Sequence, residues 1–212
     1  MVAHEYAHGY AALRQGDATA LQLGRLTWNP LKHIDPFMTI LLPAFLYFTS
    51  GTMLGGAKPV PVNPRNYRNY KRGDIIVSLA GVASNFVLAL VFTVLLVPLG
   101  MLGHAMPSVA ETAGILQAML ALGVVINFSL IAFNLLPVPP LDGSHVMKYL
   151  LPPAWALQYQ RIGFFGLFIL LVMIRTPFFS WWMSPVWFGA SFLLGLVERG
   201  GFVLASAGPY FR

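Results

Sequence analysis

His4 and His8 stand four residues apart in the apolar run from Met1 to Leu13, with Glu5 beside the first of them. On a helix this spacing places two imidazoles one turn apart on a single face, where both can bind one metal ion. Glu5 lies about 100° round the same helix, as suits a carboxylate that reaches a water on the metal rather than the metal itself. The chemistry implied is zinc-assisted hydrolysis. The metal activates a water and polarises the scissile carbonyl, while Glu5 takes the proton and passes it to the leaving amine. The chain has no cysteine, so zinc would have to be held by His, Asp or Glu.

Two histidines do not complete such a site, because catalytic zinc usually has three protein ligands and one open position. The candidate for the third is Asp142. It follows an apolar stretch ending in Asn134-Leu135-Leu136-Pro137-Val138-Pro139-Pro140, and a carboxylate at the end of a membrane helix is costly enough to imply a function. The prolines break the helix before it and Gly143 frees the backbone after it, which suits a side chain aimed sideways at a metal. Without the histidines, Asp142 would read as a cap on the next element in an exposed loop.

The elements that must position these residues are those of a bilayer. Of 212 residues, 57% are hydrophobic and 9% charged, against about 25% charged in soluble domains. The expected class is an all-α polytopic integral membrane protein. Its net charge of +6 bears on the orientation of loops and not on nucleic acid. There is no internal repeat, low-complexity tract or long polar segment.

The first helix runs to about Leu13, but only three residues precede His4. A span takes about 20 residues, so a further N-terminal segment is expected. The alternation in Ala20-Leu21-Gln22-Leu23-Gly24-Arg25-Leu26-Thr27-Trp28 predicts a short β segment after that helix. An uncharged run, Pro36 to Leu54, is interrupted by Pro43; the proline-rich stretch 55–64 and the basic patch Arg65, Arg68, Lys71 and Arg72 follow. Spans are expected within Ile75 to Ala110 and over Thr112 to Leu136, Ala154 to Ile174 and Pro177 to Val197, about five to six membrane helices in all. His8 and Asp142 both lie near the C-terminal ends of their helices, so both helices finish on one side. Residues 36–54 must then enter and leave on one side, which predicts a re-entrant or broken hairpin bent at Pro43. Loops 14–34, 55–73 and 137–161 share that side and hold ten Lys and Arg, whereas the turn around 103–111 holds none. By the positive-inside rule the crowded side is cytoplasmic.

The pairing of His4-Glu5-Tyr6-Ala7-His8 with Asn134-Leu135-Leu136-Pro137 and Leu141-Asp142-Gly143 resembles the site-2 protease family of intramembrane zinc metalloproteases, in a compact form without PDZ or CBS domain. The resemblance runs from the first residues to about His145. It implies one zinc ion per chain held by His4, His8 and Asp142, with Glu5 as catalytic base. It also implies a catalytic role for Asn134, eight residues before the aspartate, whose amide could hold the substrate backbone or the developing oxyanion. The family's Gly-Pro-x-x-Asn motif is matched by Gly81-Val82-Ala83-Ser84-Asn85, with Val82 in place of the proline. Asn85 reads as a packing or substrate-strand contact, and His145 as a loop residue near Asp142.

The resulting expectation is one transmembrane metalloprotease domain over 1–212, with a catalytic core at 1–145 and accessory helices at 146–212. It would lie in a prokaryotic cell (inner) membrane with its active site towards the cytoplasm. Substrates would be single-span membrane proteins or signal-peptide remnants, unwound locally and added as a strand to segment 20–28 or 58–62. A catalytically inactive relative acting as a membrane quality-control module is the first alternative, and a metal transporter the second. Intact Glu5 and Asp142 speak against the former, and the scarcity of polar residues between Ile75 and Leu141 against the latter.

Overall fold

The computed structural model describes residues 1–51 and 55–210. They fold as two compact units, Met1–Ser84 with His145–Pro152, and Asn85–Ser144 with Pro153–Arg212.

The first unit opens with helix α1, Val2–Gln15, which stops at Gly16 in the left-handed conformation, φ 110°. That turn leads into the four-residue helix α2, Thr19–Gln22, and not into a strand. Among the described residues there is no strand at all, so the expected β segment at 20–28 is corrected. The alternation there has no ladder partner and no buried face. Gly24 reverses the chain at φ 62°, the carbonyl of Ala20 receives the amides of Arg25 and Leu26, and Leu21 and Leu23 face outwards.

A 3-10 turn at Pro30–His33 is followed by a π-helical turn, Pro36–Leu41, that runs directly into α3, Leu42–Ser50. Asp35 starts this segment by accepting the amides of Phe37 and Met38. The helical path continues through Pro43, the second residue of α3, and the Met38 carbonyl five residues before it accepts the amide of Gly56 instead. The bend expected at Pro43 is therefore corrected; the end of that predicted hairpin, 52–54, lies outside the described residues. The chain nonetheless returns to the end it left. Gly56 donates its amide to Met38 at 3.0 Å, its carbonyl accepts the Thr39 hydroxyl at 2.7 Å, and Lys58 donates to His33 at 2.8 Å.

Asp17, fully buried, ties α1 to the chain before α4. Its carboxylate accepts from the Asn63 amide at 2.6 Å, the Asn66 side chain at 2.8 Å, and both the amide and hydroxyl of Thr19. Burial pushes the Asp17 carboxyl up, but these donors together outweigh it and hold it below the usual carboxylate range.

Helix α4, Tyr70–Ala105, runs through both units without interruption. In the second unit α5, Ala110–Asn134, and α9, Pro177–Arg199, share a core with α4 that combines the small Ala89, Ala121 and Ala190 with Val124, Phe128 and Leu194. Small residues allow helix backbones to approach closely where apolar burial alone cannot drive association. The fully buried Gln117 donates to the carbonyls of Leu96 and Phe202 and accepts the amide of Leu204. The short helix α6, Asp142–Met147, crosses the division between the units in sequence. It is followed by α7, Pro153–Arg161, and α8, Gly166–Met173.

Among the described residues three helices are long and apolar enough to cross a bilayer: α4, α5 with its 3-10 lead-in from Pro107, and α9. Helices α7 and α8 make a fourth only if counted as one span, and they are bent by 81°. The expected five to six spans are thus corrected. α1 has 14 residues and α3 nine, too few to cross. The predicted span 154–174 is broken by a 3-10 turn, Ile162–Phe165, and just after it the backbone at Gly166 lies against the carbonyl of Pro139, where a Cβ would sit 1.7 Å from the oxygen. Outward residues on the long helices are apolar, with Val94, Met119 and Phe188 each more than 60% exposed. Surfaces of this kind belong in lipid, and the chain is an integral membrane protein.

Candidate metal centre

Helix α1 holds both histidines on one face. His4 is buried, and its Nε2 lies 3.0 Å from the Nε2 of His8, the rings meeting edge to face. His8 Nδ1 lies 2.7 Å from the carbonyl oxygen of Val77 on α4. A carbonyl can only accept, so Nδ1 donates, and in the neutral imidazole Nε2 then keeps its lone pair on the side facing His4, the tautomer that ligates metals. Two nitrogens on a tetrahedral zinc, each about 2.0–2.1 Å from it, stand about 3.3 Å apart. The pair at 3.0 Å is therefore close to the bite of one ion, and the donor set fits the metal.

The floor under the imidazoles is Gly81. A Cβ at that position would lie 2.5 Å from both His4 Cε1 and His8 Nε2. No side chain longer than hydrogen fits unless the rings move. Helix α4 thus serves the pair twice within one turn, with an acceptor at Val77 and empty volume at Gly81.

Glu5, on the adjoining face of α1, accepts the backbone amide of Val60 at 2.8 Å. Val60 lies in the non-helical stretch Lys58–Val62, whose carbonyls at Lys58 and Pro59 receive the Arg25 guanidinium at 3.0 and 3.3 Å. The carboxylate is thereby oriented by the chain that follows α3. The Val77 carbonyl leaves no mark in the sequence, since every residue offers one, and the Val60 amide is marked only by the prolines on either side that lack it; Gly81 was visible only as the glycine of a motif.

Asp142, Asn134 and Asn85 lie in the second unit, and His33 and His145 in the first. Asp142 is the first residue of α6, and the buried Gly143 after it is pressed against the end of α5, where a Cβ would meet Leu135 O at 2.2 Å. Asn134 is the last residue of α5 and donates its side-chain amide to Leu130 O at 2.9 Å, within its own helix. Asn85 is fully buried, in keeping with packing. His33 is buried, and its Nε2 lies 2.9 Å from Thr27 O. His145 does not stand alone in a loop: its Nδ1 faces Asp74 Oδ1 at 3.3 Å.

Comparison with known proteins agrees with this chemistry. A family model described as peptidase family M50 matches residues 98–174. "Putative zinc metalloprotease YwhC" of Bacillus subtilis is 38% identical over 183 residues, 86% of this chain and 80% of that protein. Proteins of the same description named Rip2 are 30% identical in Mycobacterium tuberculosis, over 97% of this chain and 73% of theirs, and 29% identical in Mycolicibacterium smegmatis, over 87% and 68%. No solved structure matches the chain at a significant level.

Proposed function

Because the chain belongs to peptidase family M50, the site-2 protease family of membrane metalloproteases, we propose that it is a zinc-dependent endopeptidase that hydrolyses peptide bonds of membrane-spanning substrates. The observation that carries this reading is the imidazole pair, with His8 Nδ1 committed to Val77 and the two Nε2 atoms 3.0 Å apart. We assign His4, His8 and Asp142 as the ligands of one zinc ion per chain, two imidazole nitrogens and one carboxylate oxygen. Bound there, zinc would acidify water and polarise the scissile carbonyl.

The protein's own groups do the rest. Glu5 accepts a proton from water as it attacks and returns it to the amine that leaves. The Val60 amide keeps that carboxylate pointed away from solvent-driven rotamers while leaving its second oxygen for the transfer. Asn134 retains one side-chain N–H and its carbonyl oxygen beyond its bond to Leu130, enough to hold a substrate amide or oxyanion. A spanning helix satisfies its own amides, so the substrate must unwind before a carbonyl is exposed. The stretch Lys58–Val62 is the receiving element. Pro59 and Pro61 have no N–H and Val60 gives its own to Glu5, so this stretch would hold the substrate chiefly through carbonyl acceptors. Substrates of this description are single-span proteins or signal-peptide remnants. We assign the protein to a prokaryotic cell (inner) membrane with the site towards the cytoplasm, a reading supported by the Lys and Arg of loops 14–34, 55–73 and 137–161.

The test is zinc content together with cleavage of a panel of single-span substrates in liposomes, comparing wild type with Glu5→Gln and Asp142→Ala. Wild type should hold about one zinc and cut; Glu5→Gln should keep metal and stop cutting; Asp142→Ala should lose metal. A wild-type protein that binds no zinc would refute the reading.

A further inference from the structure

Asp74, four residues into α4, is 2% exposed, and its carboxylate faces three donors from a single five-residue stretch. Oδ2 lies 2.6 Å from Lys148 Nζ and 2.8 Å from the Tyr149 hydroxyl, and Oδ1 lies 3.3 Å from His145 Nδ1. Lys148 is itself nearly buried. Its ammonium and that of Lys71 lie 5.0 and 5.4 Å from the Tyr149 ring centre. Burial first, and the bond to Asp74 next, push the Tyr149 phenol above its usual range, so it remains a donor. A buried ion pair is weak evidence of stability, since an apolar cluster of the same volume commonly does as well; its best-attested use is to fix register.

What it fixes here is written in the chain. The stretch gripped by Asp74 begins three residues after Asp142, and His145 shares the six-residue helix α6 with it. A helix that short has no orientation of its own. Its N-terminal end is seated by Gly143 against the carbonyls of Leu135 and Leu136, just past the end of α5. Its C-terminal end is held by the Asp74 cluster. We propose that Asp74 is a positioning residue for Asp142: by gripping His145, Lys148 and Tyr149 it sets the rotation of α6 and so the direction of the Asp142 carboxylate. This rests on the assignment of Asp142 as a zinc ligand.

The experiment measures zinc affinity by chelator competition and the visible absorption of the cobalt-substituted protein, on the full chain in detergent. The variants are Asp74→Asn, Tyr149→Phe and the pair Asp74→Asn with Lys148→Met. The paired variant buries no unmatched charge and is the one to rely on if Asp74→Asn fails to fold. Zinc should bind about 10- to 100-fold more weakly in Asp74→Asn and in the paired variant. Tyr149→Phe should lose a few-fold, and the cobalt bands should shift although the unfolding midpoint of the metal-free paired variant stays near wild type. Zinc affinity within twofold of wild type in the paired variant, with unchanged cobalt bands, would overturn the proposal. A wild type without zinc would instead overturn the ligand assignment, and this proposal with it.

Discussion

Helix α1 and helix α6 each carry proposed zinc ligands, and they are positioned in opposite ways. In α1, 14 residues of continuous helix set the relation of His4 to His8 by the period of the backbone, and α4 needs to add only an acceptor at Val77 and a gap at Gly81. In α6, six residues set almost nothing. Its direction comes from a glycine seat at one end and a buried carboxylate at the other. Ligands of the first kind depend on their own spacing, whereas a ligand of the second kind depends on residues that touch no metal.

The comparison can be broken most severely from the α1 side. His8→Ala should remove stoichiometric zinc outright, read as metal content after dialysis, since one bite of the chelate is lost. Gly81→Ala comes next. The new methyl, 2.5 Å from both rings, must displace them, and zinc affinity should fall by about 100-fold while helix content is kept. Gly163→Ala makes only an ordinary 3.4 Å contact and serves as a control that leaves binding unchanged. On the α6 side, Asp74→Asn strands the Lys148 ammonium and should cost about 3–5 kcal/mol in denaturant unfolding; adding Lys148→Met should recover most of it.

The smallest effect sharpens the contrast between two buried carboxylates. Asp17 is held by amides and a hydroxyl, not by cations, and its carboxyl is depressed in the folded protein. Its stabilising contribution is thus fully present above the unfolded value of about 3.9 and is lost as pH falls through the lower folded value. The stability difference between wild type and Asp17→Asn should be flat from about pH 8 to 5 and shrink only below about pH 4, measured as thermal midpoints.

What the sequence made legible follows the same division. The turn-apart histidines, the adjoining Glu5 and the long apolar helices α4, α5 and α9 declare themselves by period and length. The 20–28 alternation misled because period two implies a strand only when a partner strand exists, and here Ala20 is buried against α1 while its neighbours stay outside. The straight span at 154–174 misled because its uniformly apolar composition does not record the 3-10 turn at Ile162–Phe165 or the close approach of Gly166 to the Pro139 carbonyl. His145 looked like a loop residue because its partner, Asp74, lies 71 positions away. Backbone groups such as the Val77 carbonyl are outside what any sequence pattern can mark.

The tripeptide Pro59-Val60-Pro61 contains one backbone hydrogen that solvent deuterium can replace, and that hydrogen is the one bonded to Glu5. A peptide fragment spanning it therefore reports at this point on a single bond rather than on an average of several. Its rate of isotope exchange follows how long the carboxylate holds the loop, so the engagement of the proposed base can be timed in the unsubstituted protein, with and without a substrate present.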